Sequence, residues 1–210
     1  MVEHVELLVE EPSMEALLRL VLPKLIGELS FEVYPHQCKD ELLLRLPDRL
    51  RGYRQRRNGD AWFRDHCVIV VLVDRDDDDC SRLKKRLERM AQDAGLTTRS
   101  TRRGKNYVVV TRLAIEELEA WYFGDWQAVR AAYPKVSPTI PSQAKYRNSD
   151  AIASATWEAF EHVLQRAGYF GGGLRKVEAA RAIATYMDPS RSASPSFRAF
   201  RDVLLEMARA

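Results

Sequence analysis

The sequence lacks the features that would place the chain in a membrane or in an oxidising compartment. No apolar run approaches the roughly 20 residues needed to span a bilayer, and the opening stretch MVEHVELLVEEP is too acidic for a secretory signal. The three cysteines, Cys38, Cys67 and Cys80, are widely spaced and form no metal-binding pattern. These absences predict a cytoplasmic protein without disulfides, structural zinc or membrane association.

A nucleotide-binding loop is also missing from the sequence. The glycine run at 171–173 follows a helical stretch instead of a strand, and it lacks the Lys-Ser/Thr pair of a phosphate-binding loop. The run is therefore predicted to be a flexible connection between two helices.

Charge of both signs is plentiful, and its distribution is informative. Charged residues make up 30% of the 210 residues and the net charge is only +3, yet the segment from Arg45 to Arg64 is strongly basic and contains Tyr53, Trp62 and Phe63. Such a segment can neutralise phosphates and stack on bases, although a solvated helix face is the more frequent meaning of a basic run. The candidate nucleic-acid-binding residues are Arg51, Arg54, Arg56 and Arg57.

Hydrophobic periodicity predicts strands that alternate with helices. The predicted strands are Val5–Val9, Phe31–Tyr34, Val68–Val73 and Asn106–Arg112. The predicted helices between and after them are Glu15–Ile26, Leu42–Leu50, Leu83–Ala94 and Ile115–Ala132. Pro23 is predicted to end or kink the first, a basic loop through Gly59 follows the second, and Gly124 interrupts the fourth. This order predicts an α/β fold with a mostly parallel sheet flanked by helices.

The composition changes after Tyr133. The stretch PKVSPTIPSQAKYRNSD is rich in Pro, Ser and Lys, and three helical stretches follow it, at Ala151–Gln165, Leu174–Met187 and Ser196–Ala208. Residues 1–133 are therefore predicted to form the α/β core, and residues 134–210 a helical C-terminal subdomain packed on it.

Acidic side chains follow two of the predicted strands. Glu10 and Glu11 come directly after the first strand, and Asp74 and Asp76 come directly after the strand VIVVLV. Sites in open α/β sheets form outside the carboxyl ends of strands, so these carboxylates meet if the two strands are neighbours. Carboxylates at such close range repel one another unless a cation neutralises them, and Mg²⁺ or Mn²⁺ prefers oxygen ligands of this kind. The pattern predicts a divalent-metal site. The next acids, at 77–79, precede a cationic helix and are predicted to favour its N-terminus.

These motifs resemble those of a known family. A strand ending in Glu and a later strand ending in Asp-x-Asp resemble the Toprim fold of topoisomerases, primases and overcoming-lysogenization-defect nucleases. More closely, the chain is similar to the Toprim-like bacterial proteins grouped as domain of unknown function 4276. The resembling segments are LLVEEPSMEALL (7–18), HQCKDELLLRLPDRL (36–50), VLVDRDDDDC (71–80) and EELEAWYFGD (116–125), together with KYRN and SPSF near the C-terminus. The resemblance implies a Toprim-like, Rossmann-like fold.

The resemblance leaves two candidates for the catalytic glutamate. Toprim strands usually end Val-Glu-Gly, with a further acid four positions after the glutamate. Counted from Val9, Glu10 takes the catalytic place; counted back from Glu15, Glu11 takes it and Pro12 stands where the glycine would be. Either way the glycine is absent, so the backbone turn must differ.

The remaining site residues are also implied by the resemblance. Asp74 and Asp76 would hold Mg²⁺ or Mn²⁺, and Glu15 would contribute to a second metal site. Glu117 and Glu119 become candidates to enlarge the acidic site, with a structural role equally open.

Two basic residue types complete the set of candidates. His36 lies just after the second predicted strand and is a candidate site residue, although a lone histidine is more often structural. Lys39 or Lys105 is a candidate to meet a phosphate.

The resemblance implies a Mg²⁺-dependent nuclease or other phosphodiesterase acting on nucleic acid. It associates the chain with defence against phage or mobile DNA, beside an ATPase encoded elsewhere. A non-catalytic interaction protein that partners an ATPase is the alternative, slightly favoured by the missing glycine. Phosphoryl transfer on a small nucleotide is a third interpretation, less natural beside a basic segment that bears aromatic residues. The sequence does not predict the oligomeric state.

Overall fold

The sheet of this computed structural model is parallel throughout the part of the chain that the structure describes, residues 1–101, 106–152 and 155–209. Its strands in chain order are β1 (His4–Val9), β2 (Ser30–Pro35), β3 (Cys67–Asp74) and β4 (Val109–Ala114). They are hydrogen-bonded in the order β2-β1-β3-β4. The predicted α/β class, with a parallel, Rossmann-like sheet between helices, is confirmed.

The most apolar strand lies inside the sheet. Every residue of β3 is buried, and alternate side chains enter two different hydrophobic clusters. Val70 and Leu72 face one cluster, whereas Ile69, Val71 and Val73 face the other. This arrangement explains the absence of polar alternation in VIVVLV, because a central parallel strand is covered on both faces.

The helices that connect the strands lie on both faces of the sheet. The helix α1 (Pro12–Ile26) joins β1 to β2 and packs in the first cluster. The helices α2 (Lys39–Gly59), α3 (Ala61–His66) and α4 (Cys80–Asp93) pack in the second cluster on the opposite face. The connection from β1 to β2 runs toward one edge of the sheet, whereas the connections to β3 and to β4 run toward the other edge. Because crossover connections between parallel strands are right-handed, their helices lie on opposite faces of the sheet.

The remaining helices complete the cluster that contains α1. They are α5 (Glu119–Gly124), α6 (Trp126–Ala132), α7 (Thr156–Arg166), α8 (Lys176–Tyr186) and α9 (Pro195–Ala208). Buried residues of all five join those of α1 and of the sheet in one cluster. Lys24 of α1 also donates hydrogen bonds to the carbonyls of Ala184, Thr185 and Met187 at the end of α8. The segment predicted as a C-terminal subdomain therefore shares its hydrophobic core with the sheet.

Several boundaries differ from the sequence predictions, and three of them concern α2, α1 and β4. The basic stretch predicted as a loop belongs to α2, which runs unbroken to Gly59 because arginine is a good helix former. The helix α1 begins at Pro12, earlier than the predicted Glu15; Pro23 does not end it, because it continues to the predicted Ile26 and stops before Gly27 at φ 58°. The fourth strand starts at Val109 and extends to Ala114, later than predicted.

In the part of the chain that the structure describes, no helix is long and apolar enough to cross a bilayer. All three cysteines are in the free thiol form.

Candidate active site

The two acidic strand ends meet at the point where the strand order reverses. The chain leaves β1 toward β2 on one side, and β3 lies on the other side of β1. Ligands bind at such a switch point, outside the carboxyl ends of the strands. The register pairs Val9 with Leu72, and the backbone N–H of Asp74 donates a 2.9 Å hydrogen bond to Glu10 Oε2. The two ends that the sequence predicted to meet are thus in direct contact.

Glu10 and Asp74 are both buried, and burial dominates their protonation. It raises the pKa of Glu10 to about 7, although the hydrogen bond from the Asp74 backbone opposes this change. Burial, followed by the charge of Glu10, raises the pKa of Asp74 well above its usual range. Asp74 Oδ1 has no hydrogen-bond partner among the described residues. The pair therefore holds protons, or requires a cation, near neutral pH.

A third buried carboxylate comes from the start of α5. Glu119 is 1% exposed, and burial raises its pKa to about 7. Its Oε2 and the hydroxyl of the neighbouring Tyr122 are buried without a hydrogen-bond partner in the described part of the chain. Burial also raises the pKa of Glu117, which accepts a 2.7 Å hydrogen bond from the backbone of Trp157. Both glutamates predicted as additions to the acidic site lie close enough to Glu11 for their charges to interact.

Lys176 of α8 supplies positive charge to this cluster and was not predicted from the sequence. Its Nζ lies 3.6 Å from Glu11 Oε2. Burial alone would lower the pKa of Lys176, but the charges of Glu119, Glu11 and Asp74 outweigh it and raise the pKa. No local motif marks this lysine, because only the packing of α8 against α1 brings it to the strand ends.

Lys39 organises the loop that follows β3. Its Nζ lies 2.6 Å from Asp76 Oδ2 and 2.8 Å from Asp78 Oδ2, and it donates to the carbonyls of Asp74 and Arg75. Asp76 adopts the left-handed region at φ 48°, a conformation that aspartate tolerates better than most residues. Asp79 accepts a hydrogen bond from the backbone N–H of Arg82 at the start of α4, as predicted for this part of the acid run.

The loops after β3 and β4 are joined to each other. The backbone N–H of Arg75 donates to Ala114, and that of Asp76 donates to Glu116, each at 2.8 Å. Arg75 also forms a 2.6 Å ion pair with Glu116. These bonds fix Asp76 beside the loop that carries Glu117 and leads to Glu119 at the start of α5.

Other predicted site residues are engaged elsewhere. Glu15 accepts a 2.8 Å hydrogen bond from Arg19 one turn along α1. Lys105 lies outside the described residues. The backbone N–H and the ring Nδ1 of His36 lie 3.0 and 2.9 Å from the carbonyl of Val9. Because a carbonyl can only accept, Nδ1 carries the proton, and Nε2 is left to accept a proton or bind a ligand.

The four candidate arginines of α2 do not share one surface role. Arg57 donates to the carbonyls of Phe63 and Cys67, so it ties α2 to the start of β3. Arg56 lies over the Phe63 ring at 4.0 Å, Arg51 pairs with Asp48, and Arg54 is exposed.

The donor set fits a hard divalent cation in its chemistry. In the described ranges no three His, Cys, Asp or Glu side chains are grouped closely enough to hold a metal ion as they stand. The unpartnered oxygens of Asp74 and Glu119 are nevertheless ligands of the type that Mg²⁺ and Mn²⁺ prefer. A bound cation would also offset the burial, and the smaller contribution of neighbouring carboxylates, that raise the pKa values of Asp74 and Glu119.

Fold and site together define an α/β protein with a buried carboxylate cluster at the switch point of a parallel sheet. The chain belongs to the family described as "Domain of unknown function (DUF4276)", whose model matches residues 9–205. Comparisons with curated proteins and with solved structures found no match. The family assignment made from the sequence motifs is confirmed.

Proposed function

We propose that the protein is a Mg²⁺- or Mn²⁺-dependent phosphodiesterase of the Toprim type that acts on nucleic acid. The observation that supports this most is the burial of Glu10, Asp74 and Glu119 together at the switch point, with two oxygens that lack partners within the described ranges. Burial of like charges is costly and gives no structural benefit by itself, so it is typical of functional sites.

Each residue of the cluster has a distinct role in this proposal. Glu10 has a pKa of about 7, so it can accept a proton from an attacking water or return one to the leaving oxygen at neutral pH. Asp74 and Glu119 would hold the metal ion, which supplies a lowered pKa for a bound water and polarises a phosphoryl oxygen. Lys176 and Lys39 hold Glu11 and Asp76 in position through their ion pairs.

A groove along α2 offers a path for the nucleic acid backbone. The cavity has a volume of about 680 Å³ and runs from His36 past Arg45 and Arg49 to Arg56. Arg49 lies over the Tyr34 ring at 5.0 Å, so its guanidinium is positioned on an aromatic surface. This groove begins beside Val9, the residue that precedes Glu10, and would direct phosphates toward the cluster.

The cellular setting extends the proposal. Three free thiols and the absence of a disulfide framework favour a cytoplasmic location. The resemblance to Toprim-like proteins suggests a role in defence against phage or mobile DNA together with an ATPase partner.

The test is a cleavage assay on single- and double-stranded DNA and RNA with Mg²⁺ or Mn²⁺. We expect cleavage by the wild type, none in EDTA, and a loss of at least ~100-fold in Glu10→Gln and in Asp74→Asn, because each removes a group that acts on a proton or the metal. Asp77→Asn is the matched control, since Asp77 is exposed in the same acidic loop and should keep full activity.

Equal cleavage by wild type and Asp74→Asn would contradict the assigned site. Absence of cleavage by the wild type on all substrates, with metal binding still measurable by calorimetry, would instead support the second candidate function.

That second candidate is a non-catalytic metal-binding protein that partners an ATPase. It is favoured by the ion pairs of Lys39 and Lys176, which already neutralise Asp76 and Glu11. Two results together would favour it: a partner protein co-purifies with the wild type but not with Asp74→Asn, and the complex does not cleave nucleic acid.

A further inference from the structure

A second cavity lies at the opposite end of α5 from Glu119. It has a volume of about 520 Å³ and is bounded by the end of α5, by α6 and by the segment around 138–149. Among the described residues, its lining shares no member with the carboxylate cluster. The cavity is therefore a separate feature, joined to the cluster by one short helix.

Positive charge dominates the lining of this cavity. Its charged members are Arg130, Arg147, Arg191 and Asp125. Arg130 and Arg147 are exposed and form no ion pair in the described ranges. The lining thus carries two unpaired guanidinium groups.

The third arginine is held in a fixed orientation. Arg191 donates from Nε to Asp125 Oδ1 at 2.7 Å and from Nη2 to Asp125 Oδ2 at 2.9 Å. The Asp125 side chain is fully buried and also accepts from the backbone of Asp188 at 2.9 Å. Because its oxygens are occupied, Asp125 orients Arg191 without neutralising the other two arginines.

The walls of the cavity are set by close packing. A Cβ at Gly124 would lie 2.8 Å from Ser194, so only glycine allows the end of α5 to approach the 192–194 loop. The ring of Phe123 lies between those of Trp126 and Tyr146, with centroids 5.5 and 5.1 Å away and interplanar angles of 9° and 8°. The arginines therefore lie on a preformed surface, which lowers the free-energy cost of ordering the site when a ligand binds.

We propose that this cavity binds a phosphoryl group. Planar guanidinium groups match phosphate oxygens in geometry and charge, and arginine is the residue most suited to such recognition. Asn148 uses its side-chain oxygen for the backbone of Asp150, which leaves its amide N–H groups to donate to the anion. The volume suits a nucleotide, either free or as one unit of a strand.

The test is calorimetric titration of the full chain in EDTA with three probes: pyrophosphate, adenosine diphosphate and a single-stranded oligonucleotide. We expect Arg130→Ala/Arg147→Ala to weaken binding at least tenfold. The control Arg86→Ala/Arg166→Ala removes the same charge from exposed arginines outside the cavity and should stay within twofold of the wild type. Thermal melting confirms that both variants fold.

Arginine-dependent binding of the two small probes would identify a free nucleotide as the ligand, and binding of the oligonucleotide alone would identify a strand. No binding of any probe by the wild type, or equal binding by the double variant, would overturn the proposal. EDTA removes the metal-dependent chemistry, so this result does not depend on whether the carboxylate cluster is catalytic.

Discussion

Buried carboxylates make the candidate active site a source of instability when it holds no metal. Glu10 and Glu119 have pKa values near 7, and burial raises that of Asp74 as well. In the unfolded chain all three would ionise near pH 4. The folded state therefore binds more protons than the unfolded state between about pH 4 and 7, so stability falls as pH rises through that range.

Asp74→Asn should therefore stabilise the metal-free protein. The substitution removes one buried ionisable group. The gain in the free energy of unfolding should be small at pH 4 and on the order of 1 to 3 kcal/mol at pH 8, because ionisation of the buried aspartate beside its neighbours is unfavourable at that pH. For a chain of this length each kcal/mol raises the melting temperature by roughly 2 to 4 °C.

Melting curves in EDTA from pH 4 to 8 would measure this difference. The exposed control Asp77→Asn should show no comparable rise. A variant less stable than the wild type at pH 8 would show that Asp74 is satisfied in the native protein and that the cluster carries no charge penalty.

At the scale of elements, α2 separates structural from surface arginines. Arg57 donates to two carbonyls at the start of β3, whereas Arg45 is 67% exposed on its side chain and pairs only one turn back, with Glu41. A basic run in the sequence cannot reveal this division, because it depends on which face of the helix meets the sheet.

Two sets of variants should therefore give opposite results. Arg57→Ala should lower the free energy of unfolding by about 1 to 2 kcal/mol because two carbonyls lose a donor, with little effect on nucleic acid binding.

Arg45→Ala/Arg49→Ala should leave the melting temperature nearly unchanged. It should reduce the slope of the logarithm of the single-strand binding constant against the logarithm of salt concentration by about 0.7 per arginine. Melting curves and binding assays at several salt concentrations separate the two; a large binding loss in Arg57→Ala with an unchanged melting temperature would contradict this assignment.

Contacts between the ends of neighbouring strands could be predicted from the sequence, whereas contacts made by the docking of distant helices could not. The contact between Glu10 and Asp74 follows from two apolar strands that each end in acid, since neighbouring parallel strands bring their carboxyl ends to one edge. Glu119 was predicted because it follows a strand in a family-like motif. Lys176 and the Arg191–Asp125 pair were not predicted, because they are joined to their partners only by the docking of distant helices. The length of α2 was missed because the predicted helix ended at Leu50, whereas the observed helix continues through the basic stretch to Gly59 and buries Tyr53 beyond that point.

At the scale of the whole molecule, one hydrophobic cluster unites the sheet with the C-terminal helices. The face of α1 that carries Leu18 and Leu22 packs in the same cluster as Ile183 and Phe197. Removal of the C-terminal helices would expose this face to water, at a cost of roughly 25 cal/mol for each Å² of apolar surface.

A fragment ending at Tyr133 should therefore lose cooperative folding. Far-UV circular dichroism would report residual helix, but thermal unfolding should lack the single sharp transition expected of the full chain. A fragment that melts cooperatively would show instead that residues 1–133 are an independent domain, as the change in composition after Tyr133 suggested.

The position of Lys176 has a consequence for protein synthesis. The carboxylates of the cluster are translated by residue 119, but the lysine that partners Glu11 emerges more than fifty residues later. A ribosome-bound chain therefore carries the acids before it carries the helix that orders them. Glu11 therefore gains its lysine partner only when the last third of the chain has been made and α8 has docked on α1.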